Sequence, residues 1–350
     1  MDKIIEIGQH KIGSGQPCFV IAEAGVNHNG DINLALQLVE VAARAGANAV
    51  KFQTFTANNL ASPSAPKADY QLKTTDAAES QYEMLRRLEL STKDHQRLLK
   101  HSIKNGILFM STPFDEDSAN MLDELNIPAF KIPSGEITNL PFLAHVAQKG
   151  KPLIVSTGMS DLKEVQTAIR TIAETGNQQL VLLHCVSCYP ATAADVNLNA
   201  MRSMADAFGL PVGYSDHTCG IEIPLAAIAL GAVIVEKHFT LDRNLPGPDH
   251  RASLEPDELA KMVKGIRKVE SALGNGCKRP TKIESKNAFI VRRSLVAARD
   301  IAAGEILTEE MIAVKRPGSG LRPDNKRYLI GRKLKHNIKG GSLLKMEMLA

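Results

Sequence analysis

The chain has 350 residues, 44% of them apolar and 23% charged, with a formal net charge of +4. This length accommodates one large domain and a smaller one, and the charge is too small to mark a nucleic-acid binder. No apolar run approaches the ~18 residues of a membrane span, and the N-terminal MDKIIEIGQHKIG lacks a secretory pattern. Five cysteines, an odd number, at positions 18, 185, 188, 219 and 277 argue for reduced thiols and a cytoplasmic protein. Cys185 and Cys188 form a CxxC without a second pair at zinc-ribbon spacing, and burial at a strand end accounts for them better than metal or redox use.

In chain order, eight short apolar runs predict buried strands: CFVIAEAG (18–25), AVKFQTF (49–55), ILFMSTPF (107–114), AFKIPSGE (129–136), LIVSTGM (153–159), LVLLHCVSCY (180–189), PVGYSDHT (211–218) and VIVEKHFTL (233–241). Segments of helical period separate them. DINLALQLVEVAARAG places Leu34, Leu38, Val41, Ala42 and Ala45 on one face, with a cap at Asp31 and a stop at Gly46; STKDHQRLLKHSIKNG repeats this grammar. Eight alternations favour a parallel α/β fold and match the number that closes a (β/α)₈ barrel. A doubly wound open sheet is the alternative, but EAGVNHNGD, after the first strand, has no GxGxxG. The roughly 50 residues between the second and third strands exceed a simple crossover and predict an excursion over the barrel mouth. The barrel is expected over 1–275 and a polar linker over 276–286. A small, mostly β module is expected over 287–350, where DIAAGEILTEEMI and NIKGGSLLKMEML align Ile301 with Ile338, Gly304 with Gly341, Leu307 with Leu344 and Met311 with Met348.

Strand side chains alternate in direction, and barrel active sites lie at the C-terminal strand ends. Glu23, Lys51, Gln53, Thr112, Ser156, Ser187, Tyr189, Ser215, His217, Glu236 and His238 then share the inward face above apolar residues. Lys131, Ser134 and Glu136 end the fourth strand. His217 and His238 stand on neighbouring strands ~4.8 Å apart. They can grip one divalent ion or serve as satisfied rim residues, with Glu236 a layer below to orient a ring. Two nitrogens would leave an open site completed by water and substrate. Lys51, Lys131 and the hydroxyls suit phosphate or carboxylate, and Glu23 and Glu136 supply acids for proton transfer.

The ordered motifs IAEAGVNHNGD, VKFQTF, STPFDEDS, KIPSGEITNLPF, STGM, YSDHT, EKHFTLD, PGPDHRASLEPDEL and KRPGSG resemble the N-acetylneuraminate (sialic acid) synthase family, which includes legionaminic acid synthases. The likeness covers nearly the whole chain. It implies a (β/α)₈ TIM barrel followed by an antifreeze-like (SAF, β-clip) domain, in a homodimer whose small domains swap to cap the partner's barrel. It implies condensation of phosphoenolpyruvate with an open-chain N-acylated mannose-type sugar and water, releasing phosphate with a divalent metal, manganese foremost, magnesium or cobalt otherwise. By motif, His217 and His238 are the metal ligands; Lys51, Thr112, Lys131, Ser134, Ser156 and Ser215 hold phosphoenolpyruvate; Glu136 handles protons. Glu23, Gln53, Ser187, Tyr189 and Asp249 lie toward the sugar, and Arg316 reaches into the other subunit's site. The expected activity is N-acetylneuraminate synthesis from N-acetylmannosamine. The alternative is N,N'-diacetyllegionaminate synthesis from 2,4-diacetamido-2,4,6-trideoxymannose, because HCVSCYP departs at Ser187 from the amide-bearing wording of several bacterial relatives.

Overall fold

In a computed structural model that describes residues 3–76 and 78–350, the chain divides into two units, Met1–Gly274 and Asn275–Ala350. The first contains eight parallel strands: β1 (Phe19–Gly25), β2 (Ala49–Thr54), β3 (Leu108–Pro113), β4 (Phe130–Ile132), β5 (Leu153–Ser156), β6 (Leu180–Cys185), β7 (Val212–Asp216) and β8 (Ile234–His238). Their hydrogen-bonded order is β3-β2-β1-β8-β7-β6-β5-β4, and β3 and β4 come together at the seam. The sheet thus curls into the expected barrel.

All eight predicted strands exist, but several are shorter. Pro133 has no amide hydrogen to continue the β4 ladder, so the chain turns there and Ser134–Glu136 form a single 3₁₀ turn. Ser187 and Tyr189 lie beyond the end of β6. Eight helices follow the strands: α1 (Ile32–Ala45), α2 (Thr92–Lys104), α3 (Glu116–Glu124), α4 (Leu140–Ala147), α5 (Leu162–Glu174), α6 (Asn199–Phe208), α7 (Glu222–Ala229) and α8 (Pro256–Leu273). Asp31 caps α1 by accepting from the Asn33 amide, and Gly46 ends it in the left-handed region at φ 81°, as the sequence requires.

Two cores result from the alternation along the strands. Val20, Ala22, Phe52, Phe109, Val155 and Tyr214 face outward against the helices. Phe19, Ile21, Met110, Ile154, Leu183 and Ile234 fill the interior, together with Ile5, Ile7 and Ile12 of an antiparallel hairpin, Ile5–Ile7 with His10–Ile12. The hairpin, which no sequence signal singled out, plugs the end opposite the polar strand ends. The predicted excursion is present as three short helices, Ala57–Leu60, Asp69–Thr74 and Gln81–Leu88. Lys67 organises it, donating to Thr75 Oγ1 at 2.9 Å, the Asp76 carbonyl at 2.7 Å and Glu79 Oε1 at 2.9 Å.

In the second unit, helix α9 (Lys282–Val291), capped by Thr281, occupies part of the expected linker. Strands β9 (Ser294–Ala297) and β10 (Ile312–Lys315) pair antiparallel. The internal echo is structural. Ile301 and Ile338 exchange both backbone hydrogen bonds at 2.8 Å, and the bonds Gly304 to Leu334, Leu307 to Arg332 and Ala298 to Met311 recur as Gly341 to Ala297, Leu344 to Leu295 and Lys335 to Met348. A reciprocal pair at its centre is what a pseudo-twofold axis produces.

Candidate active site

The polar strand ends of the barrel and the excursion enclose a cavity of about 400 Å³. Fourteen of the sixteen residues singled out from sequence line it: Glu23, Lys51, Gln53, Thr112, Lys131, Ser134, Ser156, Ser187, Tyr189, Ser215, His217, Glu236, His238 and Asp249. Glu136 does not. On the turn after Pro133, its carboxylate accepts from Asn139 Nδ2 at 2.7 Å. Arg316 belongs to the second unit, where it is exposed.

At the cavity floor lie four ionisable groups, Glu23, Lys51, Lys131 and Glu236, none more than 5% exposed. Lys51 Nζ lies 2.7 Å from Glu23 Oε2 and 3.6 Å from Glu236 Oε2, and Lys131 Nζ lies 3.4 Å from Glu236 Oε1. Ser215 Oγ donates to Glu236 Oε1 at 2.9 Å. Glu236 therefore joins both lysines; the expected bond to a histidine ring is not what it makes. Register explains the meeting, since Glu23 pairs with Lys51 across β1 and β2, and Glu236 with Ser215 across β8 and β7. The ammoniums also donate to Thr112 Oγ1 at 2.8 Å and Ser156 Oγ at 2.7 Å. Each hydroxyl thereby accepts from a cation and keeps its own hydrogen free to donate to an anion.

These surroundings drive the two carboxyls apart. Burial raises Glu23 to about 7 against the pull of Lys51, with the Glu236 charge adding to the rise. Burial also pushes Glu236 upward, but Lys131, Lys51 and the Ser215 bond prevail and hold it at about 2. One carboxylate is thus permanently ionised and the other is poised to carry a proton near neutrality, the separation that acid–base chemistry needs. Asp249, buried without a neutralising partner, rises to about 6.

The two imidazoles meet above this floor, with ring centroids 5.6 Å apart. His217 Nδ1 is 2.7 Å from the Val186 carbonyl. A carbonyl only accepts, so Nδ1 carries the proton and Nε2 keeps its lone pair. His238 Nδ1 is buried without a partner, an arrangement that calls for a ligand or water. Burial holds both rings below the usual histidine range, with neighbouring His217 reinforcing this at His238. Among the described residues, no group of three or more His, Cys, Asp or Glu converges as a metal site, so any ion here would take its remaining ligands from water or substrate. Behind the rings, Lys237 and Asp216 point outward and form a fully buried ion pair; Asp216 also accepts from Tyr214 Oη at 3.0 Å and the Thr218 amide at 3.0 Å. The outward residues thus tie together the two strand ends whose inward neighbours are the histidines.

Two glycines make the close approach possible. Gly25 sits at φ +53° beside a register shift in β1, and a Cβ there would lie 3.2 Å from His238 Cε1. A Cβ on Gly158 would lie 2.4 Å from Ser187 Oγ, 2.8 Å from Ser134 Oγ and 2.9 Å from Cys185 Sγ. The CxxC is not a pair: Cys185 is buried at the cavity, with Sγ 3.0 Å from Ser134 Oγ, and Cys188 is exposed. Sequence reasoning missed Tyr70, which stacks on Tyr189 at 5.1 Å, as Tyr189 packs on His217 at 4.1 Å. Its irregular surroundings carry no periodic signal.

Replacing Glu236 with Gln keeps an acceptor for Ser215 but leaves Lys131 without its carboxylate. Removing one member of a buried pair costs about 3–5 kcal/mol, so Glu236→Gln should lower the unfolding free energy of the barrel by about that much, read as a fall in its urea midpoint at unchanged m. An unchanged midpoint would contradict the network.

The NeuB family model matches residues 38–278, and the SAF domain model matches residues 292–350. The chain is 52% identical over 328 residues to N,N'-diacetyllegionaminic acid synthase of Campylobacter jejuni, covering 93% of this chain and 98% of that one. It is 49% identical to the enzyme of the same name from Legionella pneumophila, over 96% and 95% of the two chains. The crystal structure of an N-acetylneuraminic acid synthetase from Leptospira borgpetersenii, in complex with citrate, superimposes with a TM-score of 0.72 at 39% identity, over 82% of this chain and 95% of that one. With these likenesses spanning both the barrel and the tail, the chain belongs to the NeuB family of sialic-acid-type sugar-acid synthases and ends in a SAF domain.

Proposed function

We propose that the protein is an N,N'-diacetyllegionaminate synthase. It would join phosphoenolpyruvate to the open-chain aldehyde of 2,4-diacetamido-2,4,6-trideoxymannose, with water adding and phosphate leaving. The observation that carries the chemistry is the floor of two paired lysines with free hydroxyl donors, beside a carboxyl near neutrality. The choice of sugar follows the two relatives at 52% and 49% identity that bear this name, ahead of the N-acetylneuraminate activity expected first from sequence.

In the reaction, C3 of phosphoenolpyruvate attacks the aldehyde carbon, whose oxygen takes a proton. Water adds at C2 and loses a proton, and the C2–O bond to phosphate breaks, leaving a keto acid. Lys51 and Lys131 pair with the phosphate and carboxylate, while Thr112, Ser134, Ser156 and Ser215 donate to their oxygens and hold C3 toward the aldehyde. Glu23, which lines the cavity at about 7, gives and takes the protons in this reading, in place of Glu136. Gln53, Ser187, Tyr189 and Asp249 face the sugar. His217 and His238, one with a free lone pair and the other with an unpartnered buried nitrogen, would hold a divalent ion, manganese first and magnesium or cobalt otherwise. That ion would supply Lewis-acid polarisation of the aldehyde oxygen.

We also infer a homodimer in which the SAF unit of each copy caps its partner's cavity with Arg316. Residues 275–350 hold 17 Lys and Arg against 7 Asp and Glu, a net +10, whereas residues 1–274 hold 25 against 31, a net −6. Opposite charges favour association between copies, and Ile283, Phe289 and Ile290 of α9 are more than 60% exposed, as an uncovered interface would be. We infer a cytoplasmic enzyme from the five unbridged cysteines; among the described residues no helix is long and apolar enough to cross a membrane.

Phosphate release should favour 2,4-diacetamido-2,4,6-trideoxymannose over N-acetylmannosamine in kcat/KM by about tenfold or more; a preference for N-acetylmannosamine would overturn the assignment of the sugar. EDTA should abolish release and manganese restore it, and full activity in EDTA would remove the ion from the scheme. Mixed dimers of Glu23→Ala and Arg316→Ala subunits should regain activity through one intact composite site. Inactive mixed dimers of verified composition would contradict the exchange.

A further inference from the structure

The cavity has two chemically different walls. The barrel side carries the ion pairs and hydroxyls described above. The other lining includes Val26 from the loop after β1, Phe114 from the end of β3, and Leu60, Met84, Leu85 and Leu88 from the segment crossing the mouth, with Gln71 and Gln81 of that segment beside them. The sequence of the last helix explains this side. In QYEMLRRL, positions 81, 84, 85 and 88 share a face that is apolar apart from Gln81, and Glu83, Arg86 and Arg87 are exposed on the other. Met84 and Leu88 pack with Val26 and Phe55, and Phe55 meets Phe114 edge to face at 6.0 Å. The apolar wall is therefore a packed surface held in place from both sides.

Bond formation does not use this wall. The aldehyde must reach the floor, where Lys51, Glu23 and the two histidines converge, so the opposite end of an open-chain sugar is directed to the mouth. We propose that this wall, centred on Met84 and Leu85, selects sugars whose C6 is a methyl group over those with a C6 hydroxyl. This inference rests on the reading of the site as a sugar-acid synthase. A methyl against Met84, Leu85 and Leu88 leaves water and gains contacts. A hydroxyl against those three side chains gives up its water hydrogen bonds and finds none in return; Gln71 and Gln81 of the same segment also line the cavity, and the selection rests on the apolar part centred on Met84 and Leu85. Discrimination of one such group by an apolar pocket is roughly 10- to 100-fold. Met84 and Leu88 also line a neighbouring cavity of about 350 Å³, so the wall is only one side chain thick and its character depends on these few residues.

The test compares kcat/KM for 2,4-diacetamido-2,4,6-trideoxymannose and 2,4-diacetamido-2,4-dideoxymannose, two aldoses that differ only in the C6 hydroxyl. The wild-type enzyme should prefer the first by roughly 10- to 100-fold. Met84→Gln, which keeps the length of the side chain and adds an amide, should reduce that ratio about fivefold or more, and so should Leu85→Gln, whose half-buried position spares the fold should Met84→Gln not be tolerated. The KM for phosphoenolpyruvate, bound at the other wall, should stay within about twofold. A wild-type ratio near one, or a ratio unmoved in a folded variant, overturns the proposal and leaves the synthase reading intact. No phosphate release with either aldose overturns the reading of the substrate, and this inference with it.

Discussion

Two ammonium groups buried at the bottom of a barrel mouth are tolerable only because carboxylates meet them. An unpaired buried charge is costly enough to be lost or neutralised, so Lys51 and Lys131 commit the chain to placing Glu23 and Glu236 within a few ångströms. Much of the first unit serves that placement. Parallel register aligns Glu23 with Lys51, the hairpin of Ile5, Ile7 and Ile12 fills the barrel below, and the excursion contributes residues to the wall of the site. Low exposure in turn separates the two carboxyls, one near 2 and the other near 7. The same burial that would destabilise an isolated charge creates a group able to exchange protons at neutral pH.

The pairs also shape how an anion is received. With no substrate present, the two ammoniums are already engaged, and the hydroxyls of Thr112 and Ser156 accept from them and keep their hydrogens free. In the proposed reaction the incoming phosphate would compete with Glu23 for Lys51. Glu23, raised to about 7, would give up its charge before Glu236, held at about 2 by Lys131, Lys51 and Ser215. The proton taken up in that exchange would serve the alkoxide that develops at the aldehyde.

The barrel and most of its site were legible because the relevant signal is periodic. Alternation put Glu23, Lys51, Ser215, Glu236 and His238 on one face, and the structure places them together. Two placements differ from that expectation. Glu136 was carried along a strand that Pro133 terminates, and Glu236 was expected on an imidazole when two lysines on more distant strands claim it. Alternation gives the face of a side chain but not which cation across a barrel reaches it. Tyr70 and the apolar wall of Met84 and Leu85 lie in a segment of short helices, where no long period announces which side faces the cavity. The 37-residue echo of the SAF unit, by which Ile338 repeats Ile301, was visible in the letters and returned as paired hydrogen bonds.

The exchange at Glu23 is measurable directly. Calorimetric titration of phosphoenolpyruvate at about pH 8, a unit above the Glu23 value, in buffers of different ionisation enthalpy counts the protons bound on complex formation. The network predicts net uptake approaching one proton per site in the wild type and none in Glu23→Gln. Binding without proton uptake, or with the same uptake in the variant, would contradict it.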